Sequence, residues 1–347
     1  MLNLSLTSFD LTFSESFAVS SNSRTSTECL FIELEQDGLK GYGQASFPPY
    51  LKEKREDNLM FIKGLNTERL ASPFSIKEVH SYLDSLNPFC FPSKAAIDMA
   101  LYDLEGKRKG LPVYKLLGIE TGKKIYSSFT IGIGGDDHIR KKVREGENFK
   151  ILKIKMGSDL KYNLHALDLL RSLTDKPIGI DFNAAFRKKE PALELLLKLN
   201  EKGVVYAEQP FPAEMEDEQA WLKTKSPVEI FGDESFQTSS DLNKRHQLFH
   251  GVNVKLMKCG GIQKALEMHG LAKKLGLRTM LGCMSESALA ITAAAHLSPL
   301  FDRIDLDGNL VINNDPFIGI KNSSGDISLS DEPGLGVELS GSKIFYN

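Results

Sequence analysis

The chain has 347 residues, 41% hydrophobic and 26% charged, which describes a folded globular protein with room for one large domain and an accessory one. A net charge of −3 and a pI near 6.2 give no electrostatic basis for binding nucleic acid or an anionic membrane. No apolar run approaches the ~18 residues of a membrane span, and "MLNLSLTSFDLTF" lacks the basic and apolar regions of a signal peptide.

The four cysteines, Cys29, Cys90, Cys259 and Cys283, form no CxxC pair, so a reduced, cytoplasmic protein is expected. In chain order, "LNLSLTSFDLTF" alternates like a strand, and "CLFIELEQDGLKGYGQA" reads as a hairpin turning at Asp37-Gly38. "SKAAIDMALYDLEGKRKG" has helical spacing, with Ser93 as its start signal and Gly110 as its stop. These elements predict an α+β capping domain over residues 1–122.

From residue 123 the pattern changes. Eight β-rich runs alternate with amphipathic segments, and each run ends near a polar or reactive residue: Thr130, Lys155, Asp181, Glu208, Asp233, Lys255, Cys283 and Asp305. Successive markers are 22 to 28 residues apart, the length of a strand, a returning helix and two loops. Eight such units predict a modified (β/α)8 TIM-type barrel over 123–312, an α/β fold whose reactive groups gather at the C-terminal strand ends. The turn-rich segment 313–347 leaves the repeat and is expected to return to the capping domain.

Asp181, Glu208 and Asp233 end the third, fourth and fifth strands, so three carboxylates would converge where neighbouring strands lie ~5 Å apart. Their repulsion calls for a cation, and oxygen-only ligands suit one Mg2+. Lys155 and Lys255 end the second and sixth strands, facing each other across that point. In "FKILKIKMG" Lys153 shares a face with Lys155, where a second cation disfavours the charged form of the first and so favours a base. Lys258 has the opposite parity to Lys255 on a continuing strand and receives no role.

Two bases flanking a metal-bound carboxylate predict removal of an α-proton through an enediolate and its return on the opposite face. Loss of a β-group is the other outcome such a site permits. Asp305 and Asp307 in "IDLDGN" share a face and suit a substrate ammonium, although "DLDGN" also fits a turn with Asx chemistry.

Taken together, "KAAIDMALYDLEGKRKGLPVYKLLG", "KIK", "DFN", "EQP", "DES", "NVKLMKCGGI", "GCMSES" and "DLDGN" resemble the enolase superfamily over essentially the whole chain. The pattern is most similar to the muconate-lactonising subgroup, and within it to dipeptide epimerases of the L-Ala-D/L-Glu kind. The mandelate-racemase subgroup would need a histidine base on the seventh strand, and "LRTMLGCMSES" has none.

The resemblance implies Mg2+ ligands at Asp181, Glu208 and Asp233, acid/base lysines at Lys155 and Lys255, and an assisting Lys153. It implies that Asp305 and Asp307 hold the ammonium of a small dipeptide, with Thr130, Cys283 and Met284 also contacting substrate. Arg24 or Asn22 stands where such enzymes place an arginine for a glutamate side chain, and loops 17–27 and 45–55 are expected to set specificity. "DFNAAF" replaces the more usual "DANQGW", and Gln44 replaces a glutamate. An o-succinylbenzoate synthase or muconate cycloisomerase on the same scaffold remains the alternative, and a homo-oligomer remains open.

Overall fold

The structure, a computed structural model, describes residues 1–20, 23–49, 51–122, 124–341 and 344–345. The N-terminal strands β1 (Asn3–Ala18), β2 (Ser23–Gln36) and β3 (Leu39–Phe47) form an antiparallel sheet in the order β1-β2-β3. The β2–β3 turn falls at Asp37 (φ 56°) and Gly38 (φ 77°), where two successive left-handed residues follow the native twist of a two-residue hairpin. Period-two alternation divides β2 between two cores. Leu30, Ile32 and Leu34 pack with Ile62, Leu83, Ile97 and Leu101 of the cap helices, whereas Cys29 and Phe31 join the core shared with the barrel.

The cap helices are α1 (Arg55–Lys63), α2 (Ile76–Leu86), α3 (Phe91–Lys109) and the short α4 (Val113–Leu116). Helix α3 is buried almost all round, as its Ala-rich sequence requires, because it lies between the cap sheet and the barrel. Gly41 and Gly43 allow it to approach: an added Cβ would sit 2.1 Å from Ala100 O and 1.8 Å from Ala96 O, respectively. Gly110 ends α3 in the left-handed region (φ 65°), but the start lies at Phe91, not Ser93. The Ser93 hydroxyl turns inward to donate to Asn58 O (3.2 Å), so it joins helices instead of capping one.

After a short β4 (Ile125–Tyr126) come eight parallel strands: β5 (Ser128–Ile131), β6 (Ile151–Lys155), β7 (Ile178–Asp181), β8 (Val204–Glu208), β9 (Glu229–Gly232), β10 (Gly251–Lys255), β11 (Arg278–Gly282) and β12 (Arg303–Asp305). They run in sequence order around one sheet, and a bridge from Ser127 to Ile304 brings its edges together. The intervening helices are α5 (Asp136–Glu145), α6 (Leu160–Leu173), α7 (Lys189–Glu201), α8 (Glu216–Lys225), α9 (Ser239–Arg245), α10 (Leu256–Cys259), α11 (Ile262–Lys274) and α12 (Ala288–Ala295).

Side chains two apart on each strand stack into layers inside the barrel. Tyr206, Phe231 and Met280 form an apolar floor, where Gly179 lies beside Tyr206 and Gly251 beside Phe231 so that large and small alternate. Two residues onward come Lys153, Asp181, Glu208, Asp233, Asn253 and Asp305. That second layer is ionic.

The C-terminal segment packs on the cap sheet, with Phe317 5.4 Å from Phe31 and 5.5 Å from Tyr42, ring to ring. Thr7 donates its hydroxyl to Ile344 O (2.7 Å), so the segment also crosses the first strand. No helix among the described residues is long and apolar enough to cross a membrane.

Candidate active site

Lys153 and Lys155 point to the same side of β6, and Leu152, Ile154 and Met156 are fully buried on the other. Lys153 Nζ lies 2.7 Å from Asp305 Oδ2, 2.7 Å from Glu208 Oε2 and 3.3 Å from Asp181 Oδ2. Burial opposes its charge, but the carboxylates of Asp305, Glu208 and Asp181 outweigh that cost and hold its pKa well above the ordinary lysine value. Lys153 is a fixed cation in the ionic layer of the barrel. Lys155 Nζ sits 2.6 Å from Asp181 Oδ2, at the strand position paired with Asp181 in the sheet.

On the other wall, Lys255 Nζ lies 2.8 Å from Asp233 Oδ2. Lys258 reaches the same carboxylate through Oδ1 and also donates to Asp233 O (2.6 Å) and Asn253 O (3.0 Å). The parity argument that separated Lys258 from Lys255 fails, because β10 ends at Lys255 and the chain turns at once into α10. In a helix, residues three apart share a face.

All three predicted ligand carboxylates are almost wholly buried. Although burial alone would raise the pKa of Asp181, the charges of Lys155 and Lys153 bring it down to about 2. Burial, and then the Asp181 charge, push Glu208 upward. Next to Asp233, burial and the neighbouring Asp233 and Asp181 charges push Glu234 up to about 8.

The donor chemistry at this end of the barrel fits a hard divalent cation. Glu208 Oε2, Asn183 Oδ1, Glu234 Oε2 and Asn253 Oδ1 are buried without a hydrogen-bond donor; the ion pair from Lys153 to Glu208 Oε2 lacks hydrogen-bond geometry. Unsatisfied buried oxygens without thiol or imidazole partners are what Mg2+ prefers. In this arrangement the ammonium groups lie on the acids, and among the described residues no three acidic, histidine or cysteine side chains already stand in a common ligating geometry.

Above the ionic layer opens a cavity of about 270 Å³. Lys155 and Lys255 line it from opposite walls, and Thr130, Asp305, Asp307, Cys283 and Met284 also line its barrel side. Both oxygens of Asp305 are engaged, by Ser128 Oγ (2.5 Å) and Lys153 Nζ. Asp307 accepts the Thr130 N–H (2.5 Å) and hydroxyl (3.3 Å); burial, followed by the charge of Asp305, pushes it up to about 7.

The cap closes the cavity with Phe17, Val19 and Arg24. Arg24 donates to Ser285 Oγ and Thr27 Oγ1 (both 3.3 Å), and its guanidinium lies 5.3 Å over the Phe13 ring. Asn22 lies outside the described residues. No described residue of 45–55 lines the cavity. Sequence motifs did not point to Asn183 and Glu234, which line the cavity beside the buried carboxylates, or to the outer group Glu15, His138, Lys142 and Glu145. Their period relative to the strand markers carries no signal, since none lies on a barrel strand: Asn183 and Glu234 are in loops, Glu15 is in β1 of the cap, and His138, Lys142 and Glu145 are on α5.

An eight-stranded barrel with its polar groups at the C-terminal mouth and a sheet-bearing cap defines an enzyme scaffold of the enolase type. Residues 137–343 match the Enolase C-terminal domain-like family, and residues 6–118 match the Mandelate racemase / muconate lactonizing enzyme N-terminal domain. The chain belongs to this branch of the enolase superfamily, and it is an isomerase.

It is 43% identical to an L-Ala-D/L-Glu epimerase of Bacteroides thetaiotaomicron, over 95% of this chain and 86% of that one. It is 38% identical to an L-Ala-D/L-amino acid epimerase of Pedosphaera parvula, over 93% and 95% of the two chains. A dipeptide epimerase from Enterococcus faecalis, solved with Mg and the dipeptide L-Leu-L-Tyr, superposes with a TM-score of 0.88 at 28% identity, over 96% and 98%.

Proposed function

We propose that the protein is a Mg2+-dependent dipeptide epimerase that inverts the α-carbon of the C-terminal residue of an L-Ala-Xaa dipeptide, with L-Ala-D/L-Glu as the leading substrate. One observation carries the reading: two lysines, from β6 and β10, line opposite walls of one cavity. The names of the Bacteroides and Pedosphaera relatives support the substrate class.

Bound by Asp181, Glu208 and Asp233, Mg2+ would supply Lewis-acid polarisation of the substrate carboxylate and so acidify the α-proton. Lys155 Nζ removes that proton from one face, and Lys255 Nζ delivers a proton to the other; the roles reverse for the opposite enantiomer. Inversion needs both walls, because one base alone returns the proton to the face it came from. Lys153 keeps its charge throughout and holds Asp305, Glu208 and Asp181 in the ionic layer.

Asp307 is held in place by Thr130, and a cation brought beside it restores the ionised form that burial opposes. A substrate ammonium meets that need through charge-assisted hydrogen bonds, with Asp305 adding its field. On the cap side, Arg24 supplies a donor for a side-chain carboxylate, which favours Glu at the inverted position.

The test is to incubate L-Ala-L-Glu with enzyme and Mg2+ in deuterated water and follow the C-terminal α-proton by NMR. Its replacement by deuterium, together with formation of L-Ala-D-Glu, is expected. Retention of that proton across a panel of L-Ala-Xaa dipeptides overturns the proposal.

A further inference from the structure

Helix α11, which follows the Lys255 strand, is capped by a carboxylate from the other half of the molecule. Asp98 lies in α3 and is almost wholly buried. Its Oδ1 accepts the N–H of Ile262 at 2.5 Å, and its Oδ2 accepts the N–H of Gln263 at 3.3 Å and lies 2.7 Å from His80 Nε2. Ile262 and Gln263 are the first two residues of α11, whose own N-cap, Gly261, provides no side chain for the open N–H groups. Every helix leaves such donors at its start, and an Asp or Ser in the preceding position commonly serves them. Here the cap arrives from 164 residues earlier in the chain.

The local sequence is shaped for this visitor. Gly261 has φ +117°, and an added Cβ would stand 2.5 Å from Asp98 Cγ, so any larger residue would expel the carboxylate. The N–H groups of Gly260 and Gly261 return to Leu256 O at 2.9 and 3.1 Å, and Leu256 directly follows Lys255. Two hydrogen-bonded links therefore join the cap to the lysine: Asp98 to the start of α11, and Gly260-Gly261 back to Leu256. Asp98 does not line the cavity. Lys155, by contrast, hangs from β6 and shares none of these links.

We propose that Asp98 is a positioning residue: by capping α11 from the other domain it sets the aim of Lys255, and not of Lys155, at the substrate α-carbon. The inference rests on the two-base reading above and predicts damage to one wall only.

The experiment measures α-proton exchange in deuterated water separately from L-Ala-L-Glu and L-Ala-D-Glu, with full-length enzyme and Mg2+. Lys255→Ala serves as reference and identifies the enantiomer that this lysine deprotonates. Asp98→Ala should slow exchange of that enantiomer about 10- to 100-fold, the cost of a misplaced base, and leave the other within about twofold. Asp98→Asn keeps one acceptor and should fall between, and it carries the same comparison if the alanine variant does not fold. Backbone amide exchange over 262–265 should accelerate in both variants.

Equal slowing of both enantiomers overturns the proposal, and so does full retention of the Lys255-dependent rate. Wild-type enzyme that exchanges neither enantiomer overturns the two-base reading and the proposal with it. Asymmetric wild-type chemistry with a symmetric Asp98 effect overturns the proposal alone.

Discussion

The barrel mouth and the seam between cap and barrel both bury carboxylates, but they satisfy them differently. In the mouth, Asp181, Glu208, Asp233 and Asp305 face the ammonium groups of Lys153, Lys155, Lys255 and Lys258. In the seam, Asp98 and Asp103 face backbone: Asp98 accepts Ile262 and Gln263, while Asp103 accepts Tyr42 N–H (3.0 Å) and Leu335 N–H (2.8 Å), with Lys107 adding 2.8 Å from the edge. A backbone N–H is fixed by the chain. An ammonium on a four-carbon stem can swing away and leave its acid to another partner. The mouth acids therefore meet side chains on flexible stems, and the seam acids meet groups that the backbone holds still.

The sharpest way to break this comparison is in the mouth. Lys155→Ala and Lys255→Ala are each expected to lower inversion by at least about 10³-fold, since a positioned acid/base group contributes on that order. One-face α-proton exchange should survive in each variant, and polarimetry beside NMR exchange separates the two readouts. Equal loss of exchange from both faces in both variants would contradict two independent walls.

Lys153→Met removes the cation shared by Asp305, Glu208 and Asp181, and breaking a buried ion pair from one side costs about 3–5 kcal/mol. Urea denaturation at pH 7 measures it. An unchanged midpoint would mean that the other lysines re-pair the acids.

The seam has its own titrating group. His296 accepts the Tyr114 N–H on Nδ1 (3.2 Å) and donates from Nε2 to Leu335 O (3.1 Å). Burial lowers its pKa from 6.5 to about 4. A folded-state pKa below the unfolded one means that the unfolded chain binds the extra proton. Its contribution is then complete above pH 6.5, and it is lost as pH falls toward 4. The loss should reach about 3 kcal/mol, at 1.36 kcal/mol per pKa unit. Chemical denaturation of wild type and His296→Gln at pH 7 and pH 4.5 checks it: the variant should show the smaller fall between the two.

The smallest effect is expected from Asp103→Asn, about 1–3 kcal/mol, because the amide places an NH2 against a backbone donor. Thermal melts should drop, with the turnover of the surviving folded enzyme unchanged. A fall in turnover without a fall in stability would erase the distinction between mouth and seam.

Much of this was legible in the residues. Barrel strands repeat at 22 to 28 residues, and the period-two rule placed Lys153 and Lys155 on one side with Leu152, Ile154 and Met156 on the other. Parity alone misplaces Lys258, because it holds only while a strand continues and no local signal says that β10 stops at Lys255. Ser93 does not mark the helix start, because a serine's partner depends on what packs beside it, here Asn58 of another helix. Gln44 carries no local signal, yet its buried amide donates to Ser46 Oγ (2.8 Å) and accepts from Ser287 N–H (3.1 Å), tying β3 to the loop after β11.

By itself the order of residues determined the barrel, the strand ends and the identity of the acids and amines there, because side-chain periodicity and helix stops are local properties of the chain. Only the folded molecule decided who pairs with whom: Lys153 with Asp305 across 152 positions, Asp98 with the start of α11 across 164. Such partners are chosen by where separate elements come to lie, and a hydrogen bond or ion pair depends on distance in space, which spacing along the chain does not encode.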